Sequence, residues 1–175
     1  ALTRHIQADI SYRLFLSRQA IRLANRLCSV LARYYPAALA VFSDIQTQIA
    51  LHFLQAYPTP QAAAALNFET FVSFAQDHGY RQRKHLTTCY TRLMGPQPVA
   101  TAETIGALAG EAAQLAKLLL ETLQAKTGVD RHLTKLFADH VDHAIFATLP
   151  GAGPFLAPAL LAKFGDDRER FPTAA

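Results

Sequence analysis

The sequence predicts an all-α protein, on three observations. No segment alternates apolar and polar residues with period two. Apolar residues instead recur at helical spacing over two long stretches, and proline and glycine (9 and 8 of 175 residues) are sparse enough to act as punctuation. The arrangement expected is long antiparallel, coiled-coil-like helices, a small helical cluster, and a helix-hairpin-helix at the C-terminal end.

Leu2 to Tyr35 contains neither Gly nor Pro, and Ile6, Ile10, Leu14, Leu23, Leu27, Val30 or Leu31, and Tyr34 follow helical spacing. This reads as one helix of some 30 residues, roughly 50 Å long at 1.5 Å per residue, ended by Pro36. Ser43-Asp44-Ile45-Gln46 has the shape of a capping box opening a helix to Tyr57. Thr59 before Pro60 is an N-cap with proline at the first helical position. Asn67 caps the next helix, with Leu66 and Phe71 as a hydrophobic staple and Gly79 as its stop. Gly95 to Pro98 is a loop.

From Thr101 to Lys126 the apolar or small positions Ile105, Leu108, Ala112, Leu115, Leu119 and Thr122 fall at alternating three- and four-residue spacings, a coiled-coil seam. A seam this long predicts self-association into a homo-oligomer. Gly128 closes that helix, and Asp130 caps another running through Leu133, Phe137, Val141 and Ile145.

Net charge is +4 and the pI about 9.3. Residues 1–35 hold six arginines (Arg4, Arg13, Arg18, Arg22, Arg26, Arg33) against a single acid, Asp9. At 100° per residue all but Arg13 fall within an arc of about 80°, opposite most of the large apolar residues. Arg13 points toward the apolar side, and Phe15 intrudes on the stripe. A wet helix face ordinarily mixes Glu with Arg or Lys; here no acid compensates. Arg18, Arg22, Arg26 and Arg33 are therefore read as nucleic-acid backbone contacts, with DNA or RNA left open. A second basic cluster is Arg81, Arg83, Lys84 and Arg92.

No catalytic or metal site is read in this chain, and no cofactor. Cys28 and Cys89 lie in different helices with no metal spacing, which suits a reducing, cytoplasmic setting. His140 and His143, beside Asp139 and Asp142, lack a third ligand at a recognisable spacing and read as a solvated face with one histidine near the core. Glu103, Glu111 and Glu121 look like outer coiled-coil positions, and no serine sits on a nucleophile elbow. The apolar stretch Leu149–Ala162 carries three prolines and is too short to span a bilayer, so no membrane partner is expected.

The sharpest local signal is the run from Ile145 to Leu161. A helix ends at Leu149, the chain turns on Gly151 and Gly153, and a second helix begins at Pro154. Such a helix-hairpin-helix brings backbone N–H groups and a helix N-terminus against a phosphate. Spacing alone leaves a purely steric corner equally open. Pro158, one turn into the second helix, should bend its axis.

Four strings occur in order: NRLCSVLARYYPAAL (Asn25–Leu39), YPTP (Tyr57–Pro60), HGY (His78–Tyr80) and LPGAGPFLAPALLAKFGDDRERFP (Leu149–Pro172). Together they resemble the middle of an insertion-sequence-110-type transposase, over essentially the whole chain. The last block, with Gly165-Asp166 and Arg170-Phe171-Pro172 after the hairpin, is the most specific. The resemblance implies an RNA-guided recombinase with a resolvase-like domain of four acidic residues upstream and a serine nucleophile downstream. It carries no catalytic residue onto this chain, and any divalent metal would belong to the acidic domain. It makes DNA and a structured guide RNA the expected partners.

The chain opens on Ala1 and its one methionine is Met94, so it reads as a segment of a longer protein. Residues 1–130 are expected to form the helical connector, and residues 131–175 the start of the C-terminal transposase domain. The alternative is a helical oligomerisation or protein-interaction module that binds no nucleic acid.

Overall fold

The computed structural model describes residues 2–80, 83–98 and 100–165, with Arg83 and Lys84 described by backbone alone. Arg81 and the residues from Asp166 to Pro172, named above, lie outside the described residues. Among the described residues there are nine helices and no strand: α1 (Leu2–Tyr34), α2 (Pro36–Val41), α3 (Gln48–Ala56), α4 (Pro60–Ala64), α5 (Phe68–Asp77), α6 (Arg83–Met94), α7 (Ala102–Ala138), α8 (His143–Ala147) and α9 (Leu156–Phe164). The chain is all-α, as expected. None of these helices is long and apolar enough to cross a membrane. Two compact units form, one from Ala1–Arg18 with Leu123–Ala175, the other from Gln19–Thr122. Both α1 and α7 contribute residues to each.

In the unit of residues 19–122, local chemistry sets most helix ends. The Thr59 hydroxyl accepts from the Ala62 N–H (3.1 Å) and the Asn67 side chain from the Thr70 N–H (2.8 Å), so both expected caps form. Gly79 stops α5 at φ +81°. Its N–H donates to the Gln76 carbonyl (2.9 Å), while the Tyr80 N–H reaches back to the Ala75 carbonyl (2.9 Å). That pair of bonds is a Schellman ending, which needs a left-handed residue and so favours glycine.

Two boundaries in this unit differ from expectation. Pro36 does not merely end α1; it opens α2 as its first residue, where a missing N–H costs nothing. The helix expected from Ser43 begins at Gln48, capped by Thr47, whose hydroxyl accepts from the Ala50 N–H (3.4 Å). Asp44 is consumed in a turn instead, its carboxylate accepting from the Gln46 N–H (2.8 Å). Asp competes for its own neighbouring backbone in this way, and here the turn wins.

The core of this unit is aromatic. Phe53 meets Phe42, Phe71 and Phe74 edge-on at centroid distances of 5.6, 6.0 and 5.8 Å, pairs worth about 0.5–1.5 kcal/mol each beyond the area they bury. On α7, Ile105, Leu108, Ala112 and Leu119 are buried within the chain itself. Self-association therefore no longer follows from that seam.

In the other unit, Asp9 pairs with His132 and Arg13 with Asp130. The order reverses along the two helices, so these parts of α1 and α7 run antiparallel. Ile6, Leu133, Phe137, Ala157, Leu161 and Ala162 form the core, the larger side chains contributing roughly 1.5–3 kcal/mol each. Gly128 does not close a helix: α7 continues through it to Ala138, the interior glycine costing about 1 kcal/mol against alanine. Nor does Asp130 cap a helix; it pairs mid-helix with Arg13 and with Lys126 (3.5 Å). The chain then turns, with the His143 N–H donating to the His140 carbonyl (2.9 Å). This breaks the helical period, so Val141 (87% exposed) and Ile145 (55%) face solvent instead of the core.

Candidate nucleic-acid interface

Because Ile6, Leu16, Ala20, Leu27 and Leu31 turn the apolar side of α1 inward, the arginine side faces out. Arg18, Arg22, Arg26 and Arg33 are all exposed, as is Arg4. Arg26 is nevertheless neutralised: its guanidinium meets the Glu111 carboxylate, Nη2 to Oε1 at 2.6 Å. The acid missing from α1 is supplied here by α7, which no i,i+4 reading could reveal. Arg4, Arg18, Arg22 and Arg33 have no ion-pair partner among the described residues. Of the second basic cluster, Arg92 is exposed and donates to the Ala40 carbonyl (3.4 Å).

The glycine turn lies between α8, which ends at Ala147 and not at Leu149, and α9, which begins at Leu156 and not at Pro154. Gly151 adopts φ +77°, and Gly153 does not take a positive φ. The Ala152 N–H donates to the Leu149 carbonyl and the Gly153 N–H to the Gly151 carbonyl, both at 3.1 Å. The Gly153 amide, expected to point outward, is thus spent inside the turn. Both glycines are exposed, and a Cβ on either would meet nothing within 4 Å. Pro158 is accommodated without ending the helix. It lies in the first turn of α9, where N–H groups have few intrahelical partners to lose.

The turn is tied to α1 by residues that its arginine stripe leaves behind. Arg13, on the inward side as expected, lays its guanidinium over the Phe155 ring, 3.9 Å from the centroid. Gln7 donates to the Ala162 carbonyl (2.8 Å).

His140 and His143 are engaged structurally. His140 is buried; its Nδ1 accepts from the Asp142 N–H (3.1 Å), so its Nε2–H donates to the Thr3 hydroxyl (3.0 Å). His143 packs edge-on against Phe137. No group of three metal-ligating side chains occurs among the described residues. Burial pushes the Cys28 and Cys89 thiols up, with Asp44 adding to the effect at Cys28, so both favour the unreactive protonated form. A pocket of about 220 Å³ includes Ser43, Thr47, His78 and Tyr80 in its lining and no carboxylate. Its Thr47 is committed as a helix cap, and His78 Nδ1 lies 2.8 Å from the Phe74 carbonyl.

Sequence reasoning passed over one pair. Tyr12 (49% exposed) and Phe15 (52%) stand on α1 with ring centroids 6.3 Å apart and planes 15° from parallel. Their i,i+3 spacing was the readable signal.

Fold and surface define a two-unit, all-helical segment with an outward arginine face. No family model and no solved structure matches it. Two proteins of Streptomyces coelicolor do. One bears the name of a mini-circle transposase for IS117 and is 31% identical over 161 residues, 87% of this chain and 38% of that protein. The other is an uncharacterized 43.6 kDa protein of insertion element IS110, 25% identical over 179 residues, 99% of this chain and 44% of that protein. The chain belongs to the IS110-type transposase family, and it spans less than half the length of either relative.

Proposed function

We propose that this chain is the nucleic-acid-binding and dimerising segment of a DNA transposase or recombinase acting in the transposition of an insertion sequence. The observation that carries the reading is the outward set Arg18, Arg22 and Arg33, exposed and without an acid partner among the described residues. Lys and Arg held this way neutralise phosphates and release counterions, whatever the base sequence. The long helix α1 carries this surface, and of its outward arginines α7 offers an acid only to Arg26 among the described residues. The exposed turn at Gly151 and Gly153, ahead of α9, is a second place for a phosphate, supported by its exposure and by the open space beside both glycines. DNA is the main partner, and a structured guide RNA offers the same phosphates to the same arginines.

Binding of labelled duplex DNA across a salt series tests this reading. Neutralising three phosphates predicts a log–log slope near −2.7, at about −0.9 per contact. Reversing charge at Arg18, Arg22 and Arg33 should flatten it while helix content holds. A flat salt dependence in the unaltered chain, with self-association intact, would return it to the class of purely helical oligomerisation modules.

A further inference from the structure

We infer that Tyr12 and Phe15 form a stacking platform for unpaired DNA bases, with Arg4 and Arg18 supplying phosphate contacts along the same exposed face of α1. The inference rests on the nucleic-acid reading above and narrows it to strand state.

The two rings are not needed by the core of their own unit, which is built from Ile6, Leu133, Phe137 and α9. Each is about half exposed, and they stand near-parallel at 6.3 Å. They therefore offer π-faces and not just scattered apolar edges. The charge around them is one-sided. Arg4 and Arg18 are exposed and unpaired among the described residues. Asp9, the one acid on this stretch, is hydrogen-bonded to His132 Nδ1 at 2.7 Å, and Arg13 is turned inward onto Asp130 and Phe155.

An apolar protein partner would cover the rings but bury or strand the two arginines. A partner with both π-faces and negative charge satisfies rings and arginines together. Duplex DNA has the charge, but its bases are stacked on one another and present only edges. An unpaired strand presents both, and aromatic side chains flanked by arginines are the usual means of holding one.

The chain contains no tryptophan, so Phe15→Trp installs a single reporter whose fluorescence a stacked base should quench. The experiment compares Phe15→Trp, the Tyr12→Ala/Phe15→Ala pair, and a Tyr12→Leu/Phe15→Leu pair. Each is titrated with a deoxyribo-oligonucleotide as single strand and as duplex, and with the ribo-oligonucleotide of the same sequence. Sedimentation is run in parallel. The expected result is quenching by single-stranded DNA and a single-strand affinity loss of roughly ten-fold for each ring removed. Duplex affinity and salt slope should be unchanged, and the leucine pair should fail like the alanine pair.

Unaltered single-strand affinity in the alanine pair would overturn the platform while leaving the phosphate reading standing. No binding to any strand by the unaltered chain would overturn both. Loss of self-association in the alanine pair, with recovery of association and affinity together in the leucine pair, would make the rings an interface between copies. A ten-fold preference for the ribo-strand would overturn the assignment to DNA.

Discussion

Arg13 and Asp130 form an ion pair between α1 and α7, and the same guanidinium lies over the ring of Phe155, the residue that leads into α9. One side chain thus fastens the exit of the glycine turn to the antiparallel helices beneath it. Arginine suits the task because its planar group can hydrogen-bond at its edge while stacking on its face. Arg13→Ala should destabilise this unit by about 1–2 kcal/mol, the sum of a modest ion pair and a cation–π contact. Arg13→Lys, which keeps the charge but not the plane, should lie between. Chemical denaturation gives the first number. Hydrogen exchange at Ala152 to Leu156 gives the local one, and unaltered exchange there in Arg13→Ala would refute the fastening role.

Tyr34 and Tyr35 are adjacent, both buried, and differ in one bond. The Tyr34 hydroxyl donates to the Pro58 carbonyl at 2.8 Å, while that of Tyr35 has no partner among the described residues. Burial pushes the Tyr34 phenol up to about 12 and that of Tyr35 higher still. A buried hydroxyl without a partner carries its desolvation cost uncompensated. Tyr35→Phe should therefore leave the melting temperature equal or higher, and Tyr34→Phe should cost about 1 kcal/mol. Equal losses in both variants would show that Tyr35 does have a partner.

His52 and His78 sit with ring centroids 4.6 Å apart. Burial, and then the neighbouring His78, hold the His52 imidazole below its ordinary 6.5. The unfolded chain thus binds the proton more readily than the folded one, and stability rises with pH through this range. The contribution is complete above about 6.5 and is lost as pH falls toward the lowered folded value. Melting temperatures from pH 7.5 to 5 should fall less steeply in His52→Gln than in the unaltered chain. Parallel curves would exclude His52 as a source of acid sensitivity.

What the sequence makes legible here is what short-range chemistry decides. The caps at Thr59 and Asn67 and the stop at Gly79 depend on bonds spanning three to five residues, so their sequence signatures suffice. The outward arginines follow from the helical period alone, as does the inward turn of Arg13. Contacts between distant segments stay hidden. Nothing near Arg26 announces Glu111, and nothing near Asp130 announces Arg13. The same limit explains Gly128: a glycine with capping residues behind it looks like a stop, until tertiary packing of Leu133 and Phe137 carries the helix through it. Tyr12 and Phe15 were readable as an i,i+3 pair, but only their observed exposure separates a platform from core.

The two turn glycines should behave differently on substitution. Gly151 sits at φ +77°, where a side chain is strained, so Gly151→Ala should cost about 1 kcal/mol. Gly153 has no positive φ and open space around its would-be Cβ. Gly153→Ala should be neutral or gain about 0.4–1 kcal/mol by restricting the unfolded chain. That makes it a clean probe of phosphate binding, since any fall in DNA affinity cannot be charged to misfolding. Full affinity in a stable Gly153→Ala protein would leave the turn a steric corner.

Gly128 gives the sharpest test of the course of α7. Were it the left-handed stop that its sequence context suggests, alanine there would be strained and the protein weakened. In the structure it lies inside a 37-residue helix, is exposed, and has no positive φ; a Cβ would meet nothing within 4 Å. Alanine should then gain the helix-propensity difference, about 0.8–1 kcal/mol. No contact is altered, so Arg13, Asp130 and the core at Leu133 should be undisturbed. Gly128→Pro is the matching control: it removes an interior N–H and should cost about 3 kcal/mol or more. Thermal unfolding of the two variants separates the alternatives by sign. A stabilised alanine variant beside a strongly weakened proline variant means one continuous helix, whereas a weakened alanine variant beside a mildly affected proline variant means a break at Gly128.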